Sequence, residues 1–137
     1  NELNSTVSTF KVEENGGLTL QNSISSIPED FKGNNSGADI HISPSGDYLY
    51  ASNRGYNSIA IFSIDKATGA LENKGYASTN GKTPRNFAIA EDGGYLYAAN
   101  QDSGDIQAYK INSATGELDA IGKPVAVPTP VCIEFLN

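Results

Sequence analysis

Three side-chain types in this chain could do chemistry, and each is scarce. There are two arginines, Arg54 and Arg85, one histidine, His41, and one cysteine, Cys132. All other basic residues are lysines. A guanidinium presents planar, forked donors that match a carboxylate or phosphate with two parallel bonds, which an ammonium cannot do. Two such groups in a chain of net charge −7 suit the capture of a small anion. His41 titrates near neutral pH and could act as general acid or base; the alternative is a structural histidine bonded between packed elements. Cys132 has no histidine near it in sequence and reads as a small buried hydrophobe. Metal-binding CxxC and HExxH patterns, the GxSxG nucleophile elbow and the phosphate loop are all missing. The residue types therefore favour electrostatic capture of an anion with acid–base assistance over covalent catalysis.

What could bring these residues together is an internal repeat. Residues Ile40–Asn53 read IHISPSGDYLYASN, and Phe87–Asn100 read FAIAEDGGYLYAAN, 47 positions later. A period of this size signals a repeat architecture. Each copy reads as four short strands with turn residues between them. In the first they fall at Ala38–Ser43, Tyr48–Ser52, Ser58–Ile64 and Leu71–Ala77; in the second at Asn86–Ala90, Tyr95–Ala99, Asp105–Ile111 and Leu118–Val127. Four antiparallel strands per repeat make a β-propeller blade, so the fold class is all-β. The Tyr48/Tyr50 and Tyr95/Tyr97 pairs belong to the blade core. Strand direction alternates within a blade, so the loops after the second strands and the blade-to-blade connections open on one rim. The residue after the shared Asn53 is Arg54, after Asn100 it is Gln101, and after the equivalent Asn1 it is Glu2. Glu2, Arg54 and Gln101 are thus expected on one rim. Arg85, at the start of an innermost strand, is expected on the same rim nearer the central channel. The plain alternative is that the rim arginines are solvated or pair with Glu2 or Asp102.

The organisation expected is two whole blades, 37–80 and 84–127, flanked by the two outer strands of another blade at 1–27 and an innermost closing strand at 129–136. Propellers close with about four to eight blades. The chain is expected to be the C-terminal part of a longer one, with the remaining N-terminal blades or another copy needed to close the ring. The acidic balance argues against nucleic acid and against an anionic membrane surface, and no apolar run is long enough to span a bilayer as a helix. A single cysteine rules out an internal disulfide framework and suits a reducing, cytoplasmic compartment.

Several separate segments resemble one family. ADIHISPSGDYLYASNRGYNSIAIF, TPRNFAI, the closing VPTPVCIEF and the opening Asn1-Glu2 are similar to the lactonase family of seven-bladed propellers. That family includes the propeller-type bacterial 6-phosphogluconolactonases and the 3-carboxy-cis,cis-muconate lactonising enzymes. The resemblance implies lactone hydrolysis on one rim without a cofactor or metal, with a small anionic lactone as substrate. It maps a catalytic Glu onto Glu2 and a catalytic Arg onto Arg54; a His and a second Arg of the family's set fall outside the chain. Arg85 and His41 match recurrent positions and are expected to line the substrate pocket. Other readings are a muconate cycloisomerase on the same rim, a non-catalytic interaction propeller, and a calcium-dependent lactonase in which Glu2, Asn53 and Asn100 would hold the metal.

Overall fold

The computed structural model describes residues 1–136. Ten strands follow in order: β1 Thr6–Val12, β2 Leu18–Ser25, β3 Ser36–Ile42, β4 Tyr48–Arg54, β5 Ser58–Ile64, β6 Leu71–Ser78, β7 Pro84–Ile89, β8 Tyr95–Asn100, β9 Asp105–Ile111 and β10 Leu118–Ala126. They form a β1–β2 hairpin and two four-stranded meanders, β3–β4–β5–β6 and β7–β8–β9–β10. Every neighbouring pair is antiparallel.

The period-2 geometry of a strand explains the packing. In the middle sheet Leu49, Ala51, Ala60 and Phe62 turn one way and join Val7 and Leu71 in a core against the hairpin. Tyr50, Ile59 and Ile61 turn the other way and join Phe87, Leu96, Ala98, Tyr109 and Ile111 of the next sheet. The middle sheet is therefore covered on both faces, which is why β4 and β5 read as nearly continuous apolar runs rather than an alternation. The hairpin has one covered face only, and Phe10, Val12, Leu18 and Leu20 are exposed.

The shared Asn at the end of GxYLYAxN locks one blade to the one before. Asn53 is fully buried. Its Nδ2 donates to the Ser26 carbonyl at 2.6 Å, and its Oδ1 accepts from Ser26 Oγ at 2.9 Å. Asn100, also buried, donates from Nδ2 to the Thr79 carbonyl at 2.9 Å. Ser26 and Thr79 each lie just past an outer strand, where the chain crosses to the next blade. Tyrosine hydroxyls add a second set of links: Tyr50 donates to Gly116 O at 2.9 Å and Tyr48 to Ala114 O at 2.6 Å. Tyr50 is a core residue as expected, whereas Tyr95 is partly exposed.

Two expectations are corrected. Residues 129–136 do not form a strand. A strand is defined by its ladder, and the second strand that would pair with this segment does not occur among the described residues. The segment still lies beside β7: the Ile133 N–H donates to Asn86 Oδ1 at 2.7 Å, and Phe135 packs edge-on against Tyr97. For the same reason Cys132 is exposed rather than buried, since no neighbouring sheet covers it.

Candidate active site

Arg54 ends β4, and its side chain is one-fifth exposed while that of Glu2 is largely exposed. Arg54 Nη2 donates to Glu2 Oε1 at 2.6 Å and to the Gly37 carbonyl at 2.7 Å. The Gly37 N–H in turn donates to the Glu2 carbonyl at 2.8 Å. Glu2, the first turn of β3 and the end of β4 thus form one bonded unit. Arg54 Nε is buried and has no acceptor. Gly55, the next residue, has φ +124, and a Cβ there would run into the Asn34 carbonyl oxygen. Only glycine fits beside Arg54.

Arg85 completes the wall. A cavity of about 260 Å³ is lined by Glu2, Gly37, Ala38, Arg54 and Arg85. Unlike Arg54, Arg85 is exposed and makes no hydrogen bond or ion pair among the described residues. It sits where the β7–β8 register slips: Pro84 faces Asn100 but Asn86 faces Ala99. Arg85 is the extra residue of a β-bulge, a feature that re-aims a side chain. A matching slip occurs in β3 between Gly37 and Ile40, where the Asp39 N–H is taken by Ser52 Oγ at 2.9 Å.

Below the bulges the two inner strands are fastened together by Asp39. Its Oδ2 accepts from Asn86 Nδ2 at 2.6 Å, from the Phe87 N–H at 3.1 Å and from His41 Nε2 at 3.0 Å. Partial burial pushes the Asp39 carboxyl up, but the bond from His41, the Phe87 N–H, the His41 charge and the Ile40 N–H outweigh it and hold the group below its ordinary range. His41 is raised above the usual histidine value, first by its bond to Asp39, against the opposing pull of burial, and further by the negative charges of Asp39 and Glu134.

Glu2, Arg54 and Arg85 are therefore brought to one cavity, and His41 is not. His41 packs edge-on against the Phe87 ring, 4.9 Å between centroids, and lines a different cavity with Asn86, Ile133 and Phe135. Along β3 it lies three residues below Ala38, or roughly 10 Å at the strand rise. Strand alternation turns it, with Asp39, toward the neighbouring blade. Asn53 and Asn100, weighed as calcium ligands with Glu2, instead direct their Nδ2 donors to the crossings at Ser26 and Thr79, in different blades. The pattern gave no sign of the Asp39–Asn86 fastening or of the bulges; the nearest signal was the polar pair Asp39 and Asn86 at equivalent places in otherwise apolar inner strands.

Residues 1–135 match the family model described as "Lactonase, 7-bladed beta-propeller". A 6-phosphogluconolactonase of Bacillus subtilis is 37% identical over 114 residues, 83% of this chain and 33% of that protein. One from Formosa agariphila is 48% identical over 94 residues, 65% of this chain and 25% of that protein. The solved structure of the periplasmic gluconolactonase PpgL of Pseudomonas aeruginosa superposes with a TM-score of 0.94 at 29% identity, over 99% of this chain and 38% of that one. The chain spans a quarter to a third of the length of these curated relatives. With two four-stranded blades and parts of others, carrying the interlocking cores and rim that the repeat calls for, the chain belongs to the lactonase family of seven-bladed β-propellers.

Proposed function

We propose that the whole propeller hydrolyses a sugar-acid lactone, with 6-phosphogluconolactone as the foremost candidate, and that Glu2 and Arg54 carry the reaction. The observation that carries this reading is the Glu2–Arg54 pair, 2.6 Å apart, on the wall of a cavity. Arg54 holds Glu2 Oε1, which leaves Oε2 to accept a proton from an attacking water. The water oxygen adds to the lactone carbonyl as Glu2 takes that proton. Negative charge builds on the carbonyl oxygen, where the Arg54 fork can supply N–H donors. Collapse of the tetrahedral intermediate breaks the ring C–O bond, the proton on Glu2 passes to the departing alkoxide, and the open-chain acid results. Atoms and charge balance without a further reactant.

The names of the relatives support a lactone as substrate class, and the family's seven blades support further blades as the chain's structural partners. A cytoplasmic setting belongs to the same proposal. The test is turnover by the full-length protein of 6-phosphogluconolactone, glucono-1,5-lactone and 3-carboxymuconolactone, each followed by acid release. Hydrolysis of the first, lost in Glu2→Gln, is the expected result. No release from any lactone would overturn the reading, and turnover of the muconolactone alone would move it to the muconate branch of the fold.

A further inference from the structure

We infer that Arg85, and not Arg54, is the residue that takes the anionic substituent of the substrate and so sets specificity within the site proposed above. The inference rests on that lactonase reading and goes beyond it by dividing the labour of the two arginines.

Three observations carry it. The first is charge. Arg54 has its cation matched by Glu2 at 2.6 Å and is further tied to the Gly37 carbonyl at 2.7 Å. A guanidinium already paired gives little net attraction to an incoming anion, because the anion would meet the Glu2 carboxylate as well. Arg85 lines the same cavity, is exposed, and has no acidic partner among the described residues. In a chain of net charge −7, it is the uncompensated cation of this cavity.

The second is backbone placement. The β-bulge in β7 makes Arg85 the residue without a partner across the ladder, and such bulges re-aim side chains beside binding sites. The segment is not free to drift, because the next residue, Asn86, is clamped on both sides. Its Nδ2 donates to Asp39 Oδ2 at 2.6 Å and its Oδ1 accepts from the Ile133 N–H at 2.7 Å. The guanidinium therefore projects without an internal partner from a fixed root.

The third is the comparison the repeat makes within the chain. The equivalent bulge position is Ala38 in the preceding blade and Val131 in the following segment. A charge there is a property of one blade and not a requirement of the repeat. The chemistry it fits is a phosphate monoester or a carboxylate attached to the lactone, held by the fork while Glu2 and Arg54 act on the ring carbonyl.

The experiment uses the full-length protein as wild type, Arg85→Gln and Arg85→Lys. Calorimetry measures binding of inorganic phosphate, and kinetics compare 6-phosphogluconolactone and 3-carboxymuconolactone with uncharged glucono-1,5-lactone. In Arg85→Gln, phosphate binding is expected to weaken by about tenfold or more, and KM for whichever charged lactone is turned over should rise by a similar factor. The loss in kcat/KM should be at least about tenfold larger for the charged lactone than for uncharged glucono-1,5-lactone. Arg85→Lys should recover part of the loss, since charge remains while the fork is gone. Unchanged phosphate affinity in Arg85→Gln, or an equal loss for charged and uncharged lactones, would overturn the inference. Phosphate binding that depends on Arg85 in a protein that opens none of these lactones would support the inference while refuting the hydrolase reading.

Discussion

Replacing Asn53 with alanine should cost about 3 kcal/mol of unfolding free energy, and replacing Asn100 about 1 kcal/mol, although the two occupy the same place in the repeat. The difference follows from what each amide leaves behind. Without Asn53 the buried Ser26 carbonyl loses its 2.6 Å donor, and an orphaned buried acceptor costs about 1–3 kcal/mol. Ser58 Oγ, also buried, loses its 3.3 Å bond to Asn53, whereas two other partners are spared: Ser26 Oγ keeps the Ser5 carbonyl at 3.0 Å and Asn35 Nδ2 keeps Ser5 Oγ at 2.8 Å. Their lost bonds to Asn53 add net terms of about 0.5–1.5 kcal/mol each at most. Removing Asn100 orphans the Thr79 carbonyl in the same way and also ends a 2.8 Å bond to the Asp105 carboxylate, which is partly exposed and can be re-solvated. However, Asn100 Oδ1 is itself buried without a partner, so alanine also removes a desolvation penalty of comparable size. Urea unfolding with slopes of about 1–3 kcal/mol per molar should resolve the two. The midpoint should fall by about 1–3 M for Asn53→Ala and by about a third of that for Asn100→Ala. Equal losses, or a larger loss at Asn100, would refute the account of these asparagines as blade-to-blade ties.

Further predictions concern the rim and the inner strands. Arg54→Lys in the full-length protein should lower kcat/KM by well over ~10-fold, since an ammonium cannot hold Glu2, Gly37 and a developing oxyanion at once; steady-state kinetics decide it. Gly55→Ala should destabilise by about 2 kcal/mol or more, because φ is +124 and the new Cβ meets the Asn34 carbonyl; a thermal melt within a degree of wild type would contradict this. The Asp39–His41 pair gives a signed pH dependence. The folded pKa of His41 is raised, so its contribution is complete below about 6.5 and is lost as pH rises through the raised value. That of Asp39 is lowered, so its contribution is present above about 3.9 and is lost as pH falls through the lowered value. Stability should therefore peak between these limits, and Asp39→Asn should flatten the alkaline fall in the urea midpoint between about pH 6 and 9.

Much of the fold was legible because a propeller writes its geometry locally. Turn residues such as Pro44 and Gly46 bound the short strand-forming runs, and β5 and β9 cover the runs read between the turns. The repeat also converts sequence position into position on a ring, so Glu2 and Arg54, 52 residues apart in the chain, could be set on one rim and are found bonded. Contacts between blades were not legible. They depend on how far one sheet is rotated against the next, and no strand period encodes that. Asn53 and Asn100 therefore looked like part of the blade motif, when their amides belong to the crossings from the previous blade. His41 could have faced the channel or the neighbouring sheet by alternation alone; the Phe87 ring and Asp39 decide for the sheet. The bulge at Arg85 was hidden too, because one extra residue in a strand that starts on Pro84 leaves no mark on composition. Residues 129–136 carry strand-like sequence, but pairing is a property of two segments, and no partner strand for them occurs among the described residues.

The measurement closest to the central claim is acid release from 6-phosphogluconolactone by the full-length protein and its Glu2→Gln variant, corrected for spontaneous opening of the lactone. The side chain of Glu2 is largely exposed and bonded only to Arg54, so the substitution should leave the fold intact, as an unchanged urea midpoint would verify. The account predicts rapid catalysed release by the wild type and a loss of about 100-fold or more in kcat for Glu2→Gln, the scale expected when a general base is removed. Wild-type turnover that survives Glu2→Gln unchanged would contradict it.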